Sequence, residues 1–410
     1  MKFLPLFLFP ILLWTACASQ ATISEEDKRL AVADSLAKAY IITDGHVDLP
    51  YRMAVKNFQL VRQYLDNIES TEDGDFDFRR AKAGGLDVPF MSIYIPASYQ
   101  QTGGAKVFAD SLIDMVNSLV AANPDKFGIA GTPAEAEALF EAGKIALPMG
   151  MENGAPMMDD IANVQHFYDR GVRYVTLTHS KDNQICDSSY DTTRTWNGLS
   201  PFGERIVLEM NRVGIMVDIS HVSDSTFYDV MEIVKTPVIA SHSSCRKFTP
   251  GFERNMSDEM IKKLGENGGV IQINFGSSFL DSAFQTKYNT MRDSVGKWAK
   301  ANNLAYTDTA VIAMAEAYME EVGNPYATVQ IVADHIDNVV EIAGIDHVAL
   351  GSDFDGVGDT LPIGLKDVSD YPNLIAELLK RGYSHEEIEK ICYKNVWRVW
   401  NEVEAFAKGV

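Results

Sequence analysis

The chain has 410 residues, 46% of them hydrophobic and 23% charged, with a net charge of −21. This composition excludes a disordered chain and supplies enough apolar residues for a large core. So acidic a surface repels phosphate backbones, which excludes nucleic acid as a partner.

The first segment in chain order is a leader. Lys2 supplies a positive charge, Phe3 to Trp14 is almost wholly apolar, and Thr15-Ala16-Cys17 follows with small residues before a cysteine. The run is too short to span a bilayer, and Pro5 and Pro10 interrupt it. Residues 1–17 therefore read as a signal peptide. Their form resembles a bacterial lipoprotein signal, although Trp14 stands where such signals usually carry leucine. That resemblance implies lipidation at Cys17, and with it an exported protein lipid-anchored to a bacterial membrane, facing the periplasm or the cell exterior. An ordinary cleaved signal with an incidental Cys17 is the plainer alternative. Cys186, Cys245 and Cys392 are too few for a disulfide framework, and their spacing does not suit a cysteine metal site.

Residues 24–405 read as one domain. Ser24 and Asp27 stand at capping-box spacing, ahead of a helix reaching Tyr40. Short apolar runs follow at Ile41-Ile42, Leu86–Ile95, Lys144–Glu152, Arg173–His179, Gly214–His221, Pro237–His242, Gly268–Gly276 and His347–Gly356. Several do not alternate, as expected of strands buried on both faces. Helix starts fall between them, at Thr132-Pro133-Ala134-Glu135, at Ser200-Pro201 and at Ser257. Strands alternating with helices predict an α/β fold, a (β/α)8 TIM-type barrel. The rival, an open doubly wound sheet, lacks its glycine-rich phosphate turn here. Two connections are long. Lys181–Ser200 is polar, and the stretch from Ser277 to about Asp346 predicts a long helical insertion between strands 7 and 8. Such insertions are where a lid or a homodimer contact is expected.

In barrel enzymes the chemistry sits at the C-terminal strand ends. The first strand ends in His46 and Asp48, two residues apart and so on one face. The third ends in Glu152, the fourth in His179, the fifth in His221, the sixth in His242, and the eighth in Asp353 and Asp355. Alone, each has a plain reading. A histidine at a strand end is more often a hydrogen-bonded wall residue than a ligand, Glu152 could cap a turn, and Asp355 reads as a turn residue before Gly356. His166, His335, His347 and His385 read as surface or helix residues. Together, however, converging imidazoles and carboxylates would leave desolvated polar groups unsatisfied, which a bound cation resolves. Imidazole with carboxylate and no thiolate suits zinc or a similar divalent ion. His46, Asp48, Glu152, His221 and His242 exceed one tetrahedral site and suit two metals sharing a carboxylate. No Gly-x-Ser-x-Gly motif occurs, and a Cys245 nucleophile would need His242 as its base.

The motifs "DGHVDL", "GMENG", "TLTH", "DISH", "SHSSCR…RN" and "GSDFDG", in this order, closely resemble the membrane (renal) dipeptidase family, over roughly Tyr40 to Val403. The resemblance implies a zinc-dependent amidohydrolase-type barrel that hydrolyses free dipeptides. His46 and Asp48 would bind one Zn2+, His221 and His242 the second, and Glu152 would bridge them. His179 would contact the scissile carbonyl, Arg254 the substrate carboxylate, and Asp353 the proton and the substrate amine. A hydroxide bridging the metals would attack the carbonyl, with a D-residue tolerated at the C-terminal position. After Glu152 the family often continues with two glycines and a histidine, whereas Asn153-Gly154-Ala155-Pro156 follows here. The alternatives are another metal-dependent barrel amidohydrolase, acting on a lactam or amide, and a non-catalytic solute-binding lipoprotein. A carboxylated-lysine bridge is disfavoured, because no lysine stands at a matching strand end.

Overall fold

The structure, a computed structural model, describes residues 24–55, 74–305, 308–321 and 326–409. The predicted signal peptide and Cys17 lie outside these residues. Eight parallel strands surround the core: β1 (Ile42–Val47), β2 (Leu86–Tyr94), β3 (Met149–Glu152), β4 (Val172–Thr176), β5 (Met216–Asp218), β6 (Ile239–Ser243), β7 (Val270–Ile273) and β8 (Val348–Leu350). Each pairs with the next, in registers such as Ile42↔Leu86, Met91↔Met149, Tyr174↔Met216 and Val348↔Ile271. A parallel bridge between Val47 and Phe354 brings the ends of β1 and β8 together, so the sheet is a nearly closed barrel of the TIM type.

Helices surround it where the sequence places their caps. Ser24 completes a reciprocal box with Asp27 ahead of helix Glu25–Ala39. Ser200 and Ser257 cap Pro201–Val213 and Asp258–Glu266. The predicted box at Thr132 is half formed. Thr132 accepts from Glu135 N, but the Glu135 carboxylate reaches back to Gly131 N instead. Between β7 and β8 lie helices Ser277–Leu280, Ser282–Ala301, Thr309–Glu321 and Val329–Ala343. The last packs against β7 and β8. Ser282–Ala301 and Thr309–Glu321 pack on each other through Met291, Val295, Ala299 and Val311.

The strands are shorter than the apolar runs suggest. The third run splits into Ile145–Ala146, which pairs with Phe127–Gly128, and β3. Pro148 sits at the break and has no N–H for a ladder. Inside the barrel, Phe90, Tyr174 and Met216 pack with Val396, Trp400 and Val403 of the C-terminal helix Asn395–Lys408, which closes one end of the core. The opposite end, where the strands terminate, carries the polar residues.

Candidate active site

At that open end His46, Glu152, His221 and His242 converge, all buried. Glu152 is the last residue of β3, and its two oxygens face different partners. Oε1 lies 3.0 Å from His221 Nε2, 3.3 Å from His242 Nε2 and 3.5 Å from His179 Nε2. Oε2 lies 3.4 Å from His46 Nε2, which is also 3.6 Å from Asp48 Oδ2. Candidate ligand atoms fall into overlapping groups within 4.8 Å of one another: His46, Glu152 and His242; Glu152, His179 and His221; and His46, Asp48 and Asp353.

Neighbouring side chains fix which imidazole nitrogens carry protons. Tyr174 on β4 donates to Gly45 O at 2.9 Å, so its oxygen receives His46 Nδ1–H at 2.8 Å. Ser241 donates to Asp218 Oδ2 at 2.6 Å and so receives His242 Nδ1–H at 2.8 Å. Both rings therefore turn Nε2, not Nδ1, toward Glu152, the arrangement in which outer groups orient metal-ligating histidines. Burial opposes protonation of His46, but Tyr174, Glu152 and Asp48 outweigh it and hold its pKa well above the usual range. Room for the Tyr174 ring comes from Gly150 on β3, where a Cβ would stand 1.9 Å from the ring.

His46 Nε2, Asp48 Oδ1, His179 Nδ1 and His221 Nδ1 are buried without a hydrogen-bond partner among the described residues. Orphaned buried polar atoms are costly. A cation removes that penalty, so the donor set fits divalent metals bound by imidazole and carboxylate. Burial pushes the His221 and His242 imidazoles well below their usual range, with Arg254 adding to the effect on His221 and His46 on His242. Both are thus held neutral, the form that ligates.

His179, His221 and Asp353 each lie three residues past the end of their strand, on the loops at the barrel mouth. His221 (φ 70°) and Asp353 (φ 63°) take left-handed backbone that non-glycine residues rarely adopt. Asp353 Oδ2 accepts from Asn274 Nδ2 at 2.8 Å. Burial pushes the Asp353 carboxyl up to about 8; Asp48 and Glu152 add to the shift, while His46 and Asn274 oppose it. Arg254 is buried rather than paired with its acidic sequence neighbours. It donates to Ser243 Oγ at 2.7 Å and to the His242 carbonyl at 2.8 Å, over the Phe279 ring. Glu253 pairs with Arg194 instead.

The Lys181–Ser200 connection forms an irregular, ordered wall. Asp187 accepts from Trp196 N and Gly198 N, and Asn183 donates to Asn153 Oδ1 at 3.1 Å, tying the wall to the loop after Glu152. Tyr190 on this wall approaches His221, with ring centroids 5.9 Å apart. The cavity these residues enclose, about 590 Å³, is lined by Asp48, Glu152, His179, His221 and Asp353 together with Tyr94, Tyr190 and Phe279.

Asp355 lies in the expected turn but is not a plain surface residue. It is buried and binds Arg52 Nη1 through both oxygens at 2.7 Å, holding the segment after β1 against the segment after β8. Of the remaining histidines, His335 is fully buried in helix Val329–Ala343. Cys186, Cys245 and Cys392 are buried free thiols. No helix among the described residues is long and apolar enough to cross a membrane. Sequence reasoning missed Asp44, Tyr174, Asp218 and Asn274. Asp44 could have been found, since it shares the parity of His46 and Asp48 along β1; it accepts from His46 N at 2.9 Å and from Tyr371 Oη.

The sequence matches the model of the membrane dipeptidase family over residues 30–410. It is 33% identical over 396 residues to an uncharacterized dipeptidase of Schizosaccharomyces pombe, covering 93% of this chain and 85% of the relative. The probable dipeptidase PvdM from Pseudomonas aeruginosa superposes with a TM-score of 0.77 at 26% identity, over 93% of this chain and 99% of that one. A metallo peptidase from Rhodobacter sphaeroides, solved with a phosphinate mimic of the dipeptide L-Ala-D-Ala, shares the fold with a TM-score of 0.71 at 23% identity, over 89% of this chain and 99% of that one. A match across nearly the whole chain, on a barrel whose mouth gathers imidazoles and carboxylates, places this chain in the membrane dipeptidase family, the M19 metallopeptidases.

Proposed function

We propose that this chain hydrolyses free dipeptides with two divalent metals, zinc by donor chemistry. His46 and Asp48 hold one, His221 and His242 the other, and Glu152 bridges them. The observation that carries the reading is the division of Glu152, with Oε1 turned to His221 and His242 and Oε2 to His46. When bound, such a pair supplies Lewis acidity and a water nucleophile acidified from pKa ~15.7 toward ~7.

The chain's own residues do the rest. His179 borders the cavity beside Glu152 and donates to the oxygen of the scissile carbonyl as charge develops there. Asp353, oriented by Asn274 and ionised when cations occupy the site beside it, accepts the proton of the attacking water and returns it to the leaving amine. Arg254 grips the substrate's terminal carboxylate, which restricts the enzyme to short substrates. Since chemistry takes place at the carbonyl, a D-residue on its C-terminal side is tolerated. The dipeptide mimic bound by the Rhodobacter sphaeroides protein carries such a residue, which supports this point. In the cell we place the enzyme outside the cytoplasm, anchored by lipid on Cys17.

Metal analysis combined with a dipeptide screen tests the reading. About two equivalents of metal per active chain are expected, with dipeptides cleaved and amide or lactam substrates ignored. Full activity at a stoichiometry near one contradicts the bridged pair. Metal binding without turnover favours a solute-binding protein.

A further inference from the structure

The catalytic cavity has a neighbour. A second cavity of about 340 Å³ shares Tyr190, Ser278 and Tyr288 with it. Its far wall is one face of helix Ser282–Ala301, where Gln285, Tyr288, Asn289 and Arg292 recur at i, i+3, i+4 and i+7. Phe284, Met291, Val295 and Ala299 of that helix are buried. The helix thus turns its polar stripe to the chamber. Among the described residues lining the chamber, Arg292 is the sole charged one. It is exposed and has no hydrogen-bond or ion-pair partner among the described residues. In a chain with a net charge of −21, acidic groups are abundant, yet this guanidinium is left unpaired beside a cavity.

The chamber lies on the Arg254 side of the site. Phe252, in its wall, packs 5.8 Å from Phe279, and the Arg254 guanidinium stands 5.3 Å over the Phe279 ring. Phe279 is thus the one ring between Arg254 and the chamber wall at Phe252. We infer that the chamber receives the side chain of the C-terminal residue and that Arg292 selects an acidic one, making X-Glu and X-Asp dipeptides the favoured class. This rests on the dipeptidase reading above. Arg292 supplies a planar donor fork suited to a carboxylate, while Gln285 and Asn289 can bond an acid or an amide alike.

The test compares kcat/KM for Ala-Glu, Ala-Gln, Ala-Lys and Ala-Ala in metal-loaded wild type, Arg292→Gln and Arg292→Glu. Ratios are taken within each protein, so any loss of folding or metal cancels. Wild type is expected to favour Ala-Glu over Ala-Gln by about fivefold, the upper end for an exposed ion pair. The preference should shrink in high salt. Arg292→Gln should abolish it, and Arg292→Glu should shift preference to Ala-Lys. Equal rates for Ala-Glu and Ala-Gln in wild type, with Ala-Ala cleaved, overturn the inference, as does a preference that persists in Arg292→Gln. If no dipeptide is cleaved by fully loaded enzyme, the dipeptidase reading itself fails and takes this inference with it.

Discussion

The Tyr174 hydroxyl lies 2.8 Å from His46 Nδ1 and decides which nitrogen of that ring carries the proton. Its own hydrogen goes to the Gly45 carbonyl, so its oxygen can only accept from His46. Without it, the His46 proton is free to move to Nε2, the atom facing Asp48 and Glu152. Tyr174→Phe should therefore weaken metal binding by about 10–100-fold, the usual cost of losing an outer-shell partner. Chelator competition on the variant measures this directly. Unchanged affinity would mean that the hydroxyl does not control the ring.

His179 occupies an ambiguous position. Its Nε2 is 3.5 Å from Glu152 Oε1, close enough to group it with potential ligands, yet its ring packs edge-on against Tyr94 at 4.8 Å. As a donor to the oxyanion, it should cost ~10²–10³ in kcat when changed to alanine. The separating measurement is metal content: His179→Ala should keep it. A loss of metal matching the loss of activity would make His179 a ligand instead.

His335, which does not line the catalytic cavity, should make stability depend on pH. It accepts from Cys245 N at Nδ1 and donates to the Leu280 carbonyl from Nε2, both at 3.0 Å, so it is neutral in the fold. Burial lowers its pKa to about 4, while the bond to Leu280 opposes the shift. The unfolded value is ~6.5. With the folded pKa depressed, the unfolded chain takes up the proton first. Stability is complete above ~6.5 and is lost as pH falls toward 4. His335→Gln keeps a donor and an acceptor but does not titrate. Between pH 7 and pH 5, urea unfolding of wild type should lose about 2 kcal/mol more than the variant does. Parallel curves would assign the acid sensitivity elsewhere.

The barrel and the convergence of imidazoles and carboxylates were legible because each depends on a local pattern. Apolar runs ending in histidine or carboxylate mark strand ends, and His46 and Asp48 share a face by period two. The supporting groups were less legible because their partners lie far away in sequence. Tyr174 meets His46 across 128 positions, and Asn274 meets Asp353 across 79. Nothing near either residue announces the contact. Asp355 was underestimated for the same reason. A turn aspartate before glycine is usually solvated, but this one is bound by Arg52, 303 positions away. Pro148 was the missed local signal, since it shortens the third strand to the four residues ending in Glu152.

Anchoring through Cys17 can be tested separately from catalysis. The apolar run ending at Thr15-Ala16-Cys17 motivates it. A single acyl chain binds membranes weakly and reversibly, whereas several hold firmly. Cys17→Ser should therefore release active enzyme into the soluble fraction, and detergent phase partitioning of wild type and variant should differ. Identical partitioning and processing would leave Cys17 without a role.

Arg254 raises a harder problem, because the proposed carboxylate clamp comes on top of a structural contact. Its bonds to Ser243 Oγ and to the His242 carbonyl brace the backbone of a proposed metal ligand. Its Nε is buried without a partner, and a guanidinium has more donors than those two contacts use. The remaining donors can grip a carboxylate in a planar fork that lysine cannot reproduce. Arg254→Lys should then raise KM and lower kcat/KM by about tenfold or more, since charge-assisted bonds are worth about 1.5–3 kcal/mol. Activity loss alone would not distinguish clamp from brace, because disturbing His242 would also slow the enzyme. The substrate carboxylate provides the distinction. C-terminally amidated dipeptides should be poor substrates for wild type and should lose little further in Arg254→Lys, because the group the arginine grips is already missing. A brace would instead slow amidated and free dipeptides by the same factor and reduce bound metal. Equal cleavage of free and amidated dipeptides by wild type would remove the clamp altogether and make this enzyme a more general amidase.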